Sequence, residues 1–125
     1  MPFVEFSEED FKRGTLLDPG MYNVTVVFFK DDVDSKGAPL YKYRYKVFGH
    51  ENPDFNDVLL FDQFSSKAMG FFMPFWEAVT GVKPVKGEQY DLEYPLNRNL
   101  RVNVKRDVYQ GNPQNKVDGY APYSE

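Results

Sequence analysis

The stretch Leu40-Tyr41-Lys42-Tyr43-Arg44-Tyr45-Lys46-Val47-Phe48 decides how the rest of this chain is read. Side chains alternate across a β-strand, so Tyr41, Tyr43, Tyr45 and Val47 fall on one face and Lys42, Arg44 and Lys46 on the other. Aromatic and β-branched residues favour strands, and neither Gly nor Pro interrupts the run. One face is apolar and the other cationic, in a protein whose formal net charge is −4.

The basic residues are unevenly placed. Residues 1–39 hold eight acids against four bases, whereas residues 40–48 and 98–106 together hold seven of the fifteen bases and no acid. A local basic face on an acidic body follows, and local pattern governs how a surface focuses its field. At 125 residues, 42% hydrophobic and 18% aromatic, the chain has the length and composition of one folded domain. It contains no cysteine, which removes disulfides, thiolate metal ligands and a thiol nucleophile. The single histidine, His50, lies in a polar run without a Ser or Cys motif and reads as a loop residue. No apolar run of membrane length and no signal sequence is present, so a protein of the cytoplasm, without membrane contact, is expected.

Outward from the central strand, Asp18-Pro19-Gly20 is a turn, and Met21–Lys30 is a strand with Tyr22, Val24, Val26 and Phe28 towards the core. That alternation leaves Val27 and Phe29 on the opposite face. Asp31–Pro39 reads as a long polar hairpin loop, with Asp32, Asp34 and Gly37 only a fragment of a calcium motif. Asp57–Phe64 gives a third strand. A helix capped by Ser65 or Ser66 follows, with Ala68, Phe71, Phe72, Phe75, Trp76 and Val79 on one stripe, Pro74 as a kink or split, and Gly81 as its stop. Leu100–Tyr109 repeats the split: Leu100, Val102 and Val104 on one side, Arg101, Asn103 and Lys105 on the other. Gln110–Asn115 reads as a turn and Lys116–Tyr120 as a short closing strand. Residues 1–19 form an arm, with a helical turn starting at Ser7 and Phe3, Phe6 and Phe11 pinning it to the body; residues 121–125 form a tail.

Five strands with a helix between the third and fourth are the element order of the OB barrel, a small Greek-key barrel plugged by its helix. The expected class is mainly β, a five-stranded OB-like barrel over residues 20–120. Closure would protect short aromatic strands from edge pairing.

Asp18-Pro19-Gly20-Met21-Tyr22-Asn23-Val24, Asp34-Ser35-Lys36-Gly37-Ala38-Pro39-Leu40, the apolar helix ending at Gly81 and Val117-Asp118-Gly119-Tyr120-Ala121-Pro122 carry a resemblance. Together they resemble a bacteriophage protein family that accompanies recombination and replication genes. The resemblance implies an OB-fold protein that binds single-stranded DNA in the host cytoplasm, beside phage replication or recombination proteins. The chain departs from that pattern in being more aromatic, acidic overall and without a long acidic tail, so recruitment through the C-terminus is not expected.

Binders of single strands combine cations along the phosphates with aromatic faces for the bases. Lys42, Arg44, Lys46, Arg98, Arg101 and Lys105, with Asn103 among them, are the phosphate candidates; Phe29 is the outward-facing stacking candidate, joined by Tyr41 and Tyr43 only if the hairpin projects beyond the barrel so that both its faces meet solvent. No cofactor or metal is expected, and no catalytic set: Glu88, Asp91 and Glu93 are closely spaced but lack a nuclease signature. Self-association into a homo-oligomer is compatible with the same surfaces. The competing reading is a phage assembly protein that binds other proteins through exposed aromatics.

Overall fold

A computed structural model describes residues 2–3 and 15–124. The described residues are mainly β: five antiparallel strands, β1 (Gly20–Val33), β2 (Pro39–Val47), β3 (Leu59–Ser65), β4 (Asn99–Tyr109) and β5 (Asn112–Pro122), with an α-helix, α1 (Phe72–Thr80), between β3 and β4. The order across the sheet is β3-β2-β1-β4-β5. β3 and β5 are therefore its two edges, and they share no backbone ladder. Side chains nevertheless meet across the opening: the Tyr120 ring of β5 lies 6.1 Å from that of Phe64 on β3, and its hydroxyl donates to the Asp62 carboxylate. No helix among the described residues is long and apolar enough to cross a membrane.

The core follows the alternation read from the sequence. Tyr22, Val24 and Val26 of β1, Tyr43, Tyr45 and Val47 of β2, and Leu100, Val102 and Val104 of β4 are buried together. Phe72, Phe75, Trp76 and Val79 of α1 pack onto them. Phe75 touches both Tyr43 (4.8 Å between ring centroids) and Tyr45 (5.8 Å), the kind of contact worth about 0.5–1.5 kcal/mol beyond burial alone.

The β1 alternation breaks where Val27 is bulged. Val26 pairs with Tyr45, but Phe28 pairs with Arg44, so two residues of β1 oppose one step of β2. Beyond the bulge the faces exchange: Phe28 leaves the core and Phe29 enters it, reversing the expectation for both. The β1–β2 hairpin is also tighter than its polar sequence implies. β1 runs on to Val33, and the Asp34 carboxylate accepts the backbone N–H groups of Lys36 (2.8 Å) and Ala38 (2.9 Å). Those bonds hold the Asp34 carboxyl below the usual carboxylate range.

The helix starts later than expected. Ser65 ends β3, Met69–Phe71 form a 3₁₀ turn, and α1 opens at Phe72. Pro74 thus sits in the first helical turn, where its missing N–H has no partner to lose, and it neither kinks nor splits the helix. The tighter 3₁₀ phase swings Phe71 away from the core, leaving it 76% exposed. Gly81, at φ 76°, ends the helix in the left-handed region, as its sequence position implies.

Gln110 (φ 51°) and Gly111 (φ 80°) make a two-residue hairpin turn, so β5 begins at Asn112 instead of Lys116. The β1 ladder with β4 starts at Gly20 opposite Val104, which leaves Lys105–Lys116 as a two-stranded ribbon beyond the sheet. Residues flanking the core strands also belong to the body. Leu17 is fully buried, with its N–H bonded to Asn115 Oδ1 at 2.9 Å, and Tyr123 packs 5.6 Å from Phe48. Phe3 is 95% exposed and pins nothing; the helical turn expected at Ser7, with Phe6 and Phe11, lies outside the described residues.

Candidate nucleic-acid interface

The outer face of β1, β2 and β3 is built by register. Arg44 stands between Phe28 on β1 and Phe61 on β3, both directly paired with it. Its guanidinium carbon lies 4.2 Å from the Phe28 ring centroid and 5.3 Å from that of Phe61. Phe61 keeps 52% of its surface exposed. One rung along, Lys30, Lys42 and Gln63 form the next row. Two ammonium groups directly opposite one another on adjacent strands are unfavourable. Asp32 relieves part of this, with its carboxylate 3.0 Å from Lys42 Nζ, and the Lys42 hydrogen bond chiefly holds the Asp32 carboxyl below the usual range.

This face forms one wall of a groove of about 800 Å³ whose other wall is the β4–β5 ribbon. Lys30, Lys42, Arg44, Phe28, Phe61 and Gln63 line it from the sheet, and Asp107, Gln114, Asn115 and Lys116 from the ribbon. Lys116 Nζ lies 3.7 Å from Asp107. Asp62 also borders the groove from β3, but it pairs with buried Tyr43 and its side chain lies on the core-facing side of the strand, with its Oδ2 accepting from Tyr45 (2.9 Å) and from Tyr120. Burial raises the Asp62 carboxyl above the usual carboxylate range and outweighs the two tyrosine hydrogen bonds, which pull the other way. Burial foremost, and then the Asp62 charge, raises both tyrosine hydroxyls, so each stays a protonated donor. The groove thus carries four cations against two carboxylates on a protein of net charge −4.

The structure brings only some of the expected residues together. Lys42 and Arg44 are in the groove. Lys46 lies exposed on the same face, beside Thr25 and Leu59, outside the groove lining. The basic side of β4 is turned to its neighbours instead. Arg101 Nε donates to the Pro122 carbonyl at 3.0 Å, Asn103 donates to Asp118 at 2.6 Å, and Lys105 pairs with the same Asp118 at 3.3 Å. Arg98 stacks on Tyr94, 3.8 Å from its ring centroid, away from the groove.

The aromatic candidates change places. Phe29 packs on the core, 5.0 Å from the Tyr43 ring. Tyr43 is 1% exposed, with its hydroxyl bonded to the Leu92 carbonyl at 2.7 Å, so it offers no face to a base. Tyr41 is half-buried against the same core. Phe28 and Phe61 hold the outward positions that the regular alternation assigned elsewhere. The signal for Phe28 was Val27-Phe28-Phe29 itself: three consecutive apolar residues cannot all obey a two-residue period, which is how a bulge reads in sequence.

Other acidic and polar candidates have local roles. Asp91 accepts the Glu93 N–H at 2.9 Å, and Glu88 accepts the Tyr90 hydroxyl at 3.3 Å. Among the described residues no three His, Asp or Glu side chains converge as a metal site. His50 is a loop residue as read: its Nδ1 accepts the Asn52 N–H at 2.9 Å, and its ring stacks on Tyr22 at 5.1 Å.

A cation held between two aromatic faces, beside further ammonium groups, suits a ligand that is anionic and planar at once. Stacking of a base on an aromatic side chain contributes about 1–3 kcal/mol and a cation over an exposed ring about 0.5–1 kcal/mol. No protein-family model matches this chain, and no curated protein matches it.

Proposed function

We propose that this protein binds single-stranded DNA, without catalysis and largely without regard to sequence, in the groove between the β1–β3 face and the β4–β5 ribbon. Phosphates run along Lys30, Lys42, Arg44 and Lys116, and bases stack at Phe28 and Phe61. The observation that carries this reading is Arg44 between its two phenylalanines, because the row presents a positive charge and planar surfaces to the same ligand. The opposed Lys30 and Lys42 support it: a polyanion relieves a repulsion that the folded chain otherwise bears.

The sheet fits the OB type. Its order, β3-β2-β1-β4-β5, is that of a five-stranded Greek-key barrel opened between β3 and β5, with the helix between β3 and β4 and ligands bound at the β2–β3 face. The resemblance noted in the sequence gives the setting: replication or recombination of phage DNA in the host cytoplasm. Photocrosslinking of an oligonucleotide carrying 5-bromodeoxyuridine tests the site. Adducts on Phe28 or Phe61 are expected, and adducts confined to Phe71 or Tyr94 would contradict it.

A further inference from the structure

Residues 15–18 lie against the β4–β5 ribbon before β1 begins, and a single ribbon side chain holds them through both ends of its amide. Asn115 Oδ1 accepts the Leu17 N–H at 2.9 Å, and Asn115 Nδ2 donates to the Thr15 carbonyl at 2.9 Å. An amide so placed offers the donor and acceptor that the peptide of a neighbouring strand would offer. Arg106, directly opposite Asn115 in the ribbon, makes a second hold. Its Nε donates to the Leu17 carbonyl at 3.3 Å, and its guanidinium lies 3.5 Å from the Asp18 carboxylate. Leu17 is fully buried in the core, so the segment that Asn115 and Arg106 grip is itself fixed to the body.

This grip stands where the sheet gives out. The β1–β4 ladder ends at Gly20 opposite Val104, and a two-stranded ribbon on its own is marginal in water. Thr15, Leu16, Asn115 and Lys116 all line the groove. We infer that Asn115 is a positioning residue for the groove: its amide fixes the ribbon against residues 15–18 and so holds Lys116 where a phosphate reaches it together with Lys30, Lys42 and Arg44. The inference rests on the nucleic-acid reading of the groove. The charges around Lys116 cannot do this work. Lys105 opposes it directly in register, and Asp107 lies 3.7 Å from it between half-exposed side chains. All three belong to the ribbon, so their interactions move with it and leave its distance from the sheet unset. The bonds from Asn115 to Thr15 and Leu17 do set that distance, because Leu17 belongs to the core.

The test is a double-mutant cycle read by salt-dependent anisotropy titration of labelled oligo-dT, with the wild type, Asn115→Ala, Lys116→Ala and the double variant. Lys116→Ala should reduce the slope from near −3 to near −2, one phosphate contact fewer, and weaken binding at low salt by about three- to tenfold. Asn115→Ala removes no charge yet should do the same, and the double variant should lose no more than either single one. Hydrogen exchange should show faster ribbon amides in Asn115→Ala, with those of β1 and β2 at the wild-type rate. If Asn115→Ala does not fold, the same cycle with Arg106→Ala, at a half-exposed side chain, decides: its loss should also fail to add to that of Lys116→Ala. An unchanged slope in Asn115→Ala, unchanged ribbon exchange, or losses that add in the double variant overturn the positioning role and leave the nucleic-acid reading standing. Absence of oligo-dT binding by the wild type overturns both.

Discussion

The Tyr120 hydroxyl of β5 donates to the carboxylate of Asp62 on β3, joining by side chains the two edges of a sheet that no backbone ladder closes. Tyr45 donates to the same oxygen from β2. The opening between the edges is therefore held by one polar cluster, together with the ring contacts of Tyr120 on Phe64 and Phe75.

That cluster gives a stability prediction with a definite sign. Burial raises the folded-state affinity of Asp62 for its proton, so between the unfolded and folded pKa the native state binds more protons and Asp62's contribution to stability falls as pH rises. Asp62→Asn keeps an acceptor for the tyrosines and should flatten this decline above the ordinary carboxylate range, seen as the difference between wild-type and variant urea midpoints. Asp62→Ala should instead cost about 1–3 kcal/mol at neutral pH by leaving the hydroxyls unpaired. A decline of equal slope in Asp62→Asn would remove Asp62 as its source.

Arg44 and Phe61 should matter for binding and Arg101 and Lys105 should not. Phe61→Ala is expected to weaken oligo-dT binding by about 5- to 150-fold, from a stacking contribution of about 1–3 kcal/mol. Arg44→Ala should weaken it by at least as much, since it removes a cation and loosens both flanking rings. Arg101→Ala and Lys105→Ala, whose side chains are engaged with Pro122 and Asp118, should change affinity by less than about threefold. Comparable losses at both sets would spread the interface over β4.

Tyr43 separates core from site. Tyr43→Phe should lower stability by about 0.5–1.5 kcal/mol, the value of its hydrogen bond to Leu92, and leave oligo-dT affinity unchanged in the same preparation. A large loss of binding with intact stability would place Tyr43 in contact with the ligand.

The ribbon turn is testable on its own. Gly111→Ala should cost about 1–2 kcal/mol, because an L side chain at φ 80° is strained in the left-handed region. Gln110→Asn should raise the melting temperature, since Asn-Gly is the preferred pair for this turn. A neutral Gly111→Ala would mean the turn adopts another conformation in solution.

The sequence carried the strand count, the helix between β3 and β4 and most of the core, because alternation in Tyr41–Val47 and Leu100–Val104 is a direct imprint of a half-buried strand. It exchanged Phe29 for Phe28 for one reason. A single inserted residue at Val27 exchanges every later face of β1, so Phe28 and Phe29 trade roles while the composition stays the same. Asp62 was illegible for a different reason. Its meaning depends on Tyr45 and Tyr120, 17 and 58 residues away in sequence, and only the folded register brings the three together. The basic stripe on β4 misled because charge in a strand does not reveal its partner, and Asp118 is supplied by the strand beside it.

The most direct test is a salt-dependent anisotropy titration of labelled oligo-dT against duplex DNA of equal length, with the wild type and the double variant Lys42→Ala/Arg44→Ala. With four groove cations each releasing about 0.7 of a counterion, the logarithm of affinity for oligo-dT should fall against the logarithm of salt with a slope near −3. Duplex binding should be much weaker, and the double variant should lose both affinity and about half of that slope. No binding of oligo-dT by the wild type at low salt, or an unchanged slope in the double variant, would contradict the assignment of this groove to single-stranded DNA.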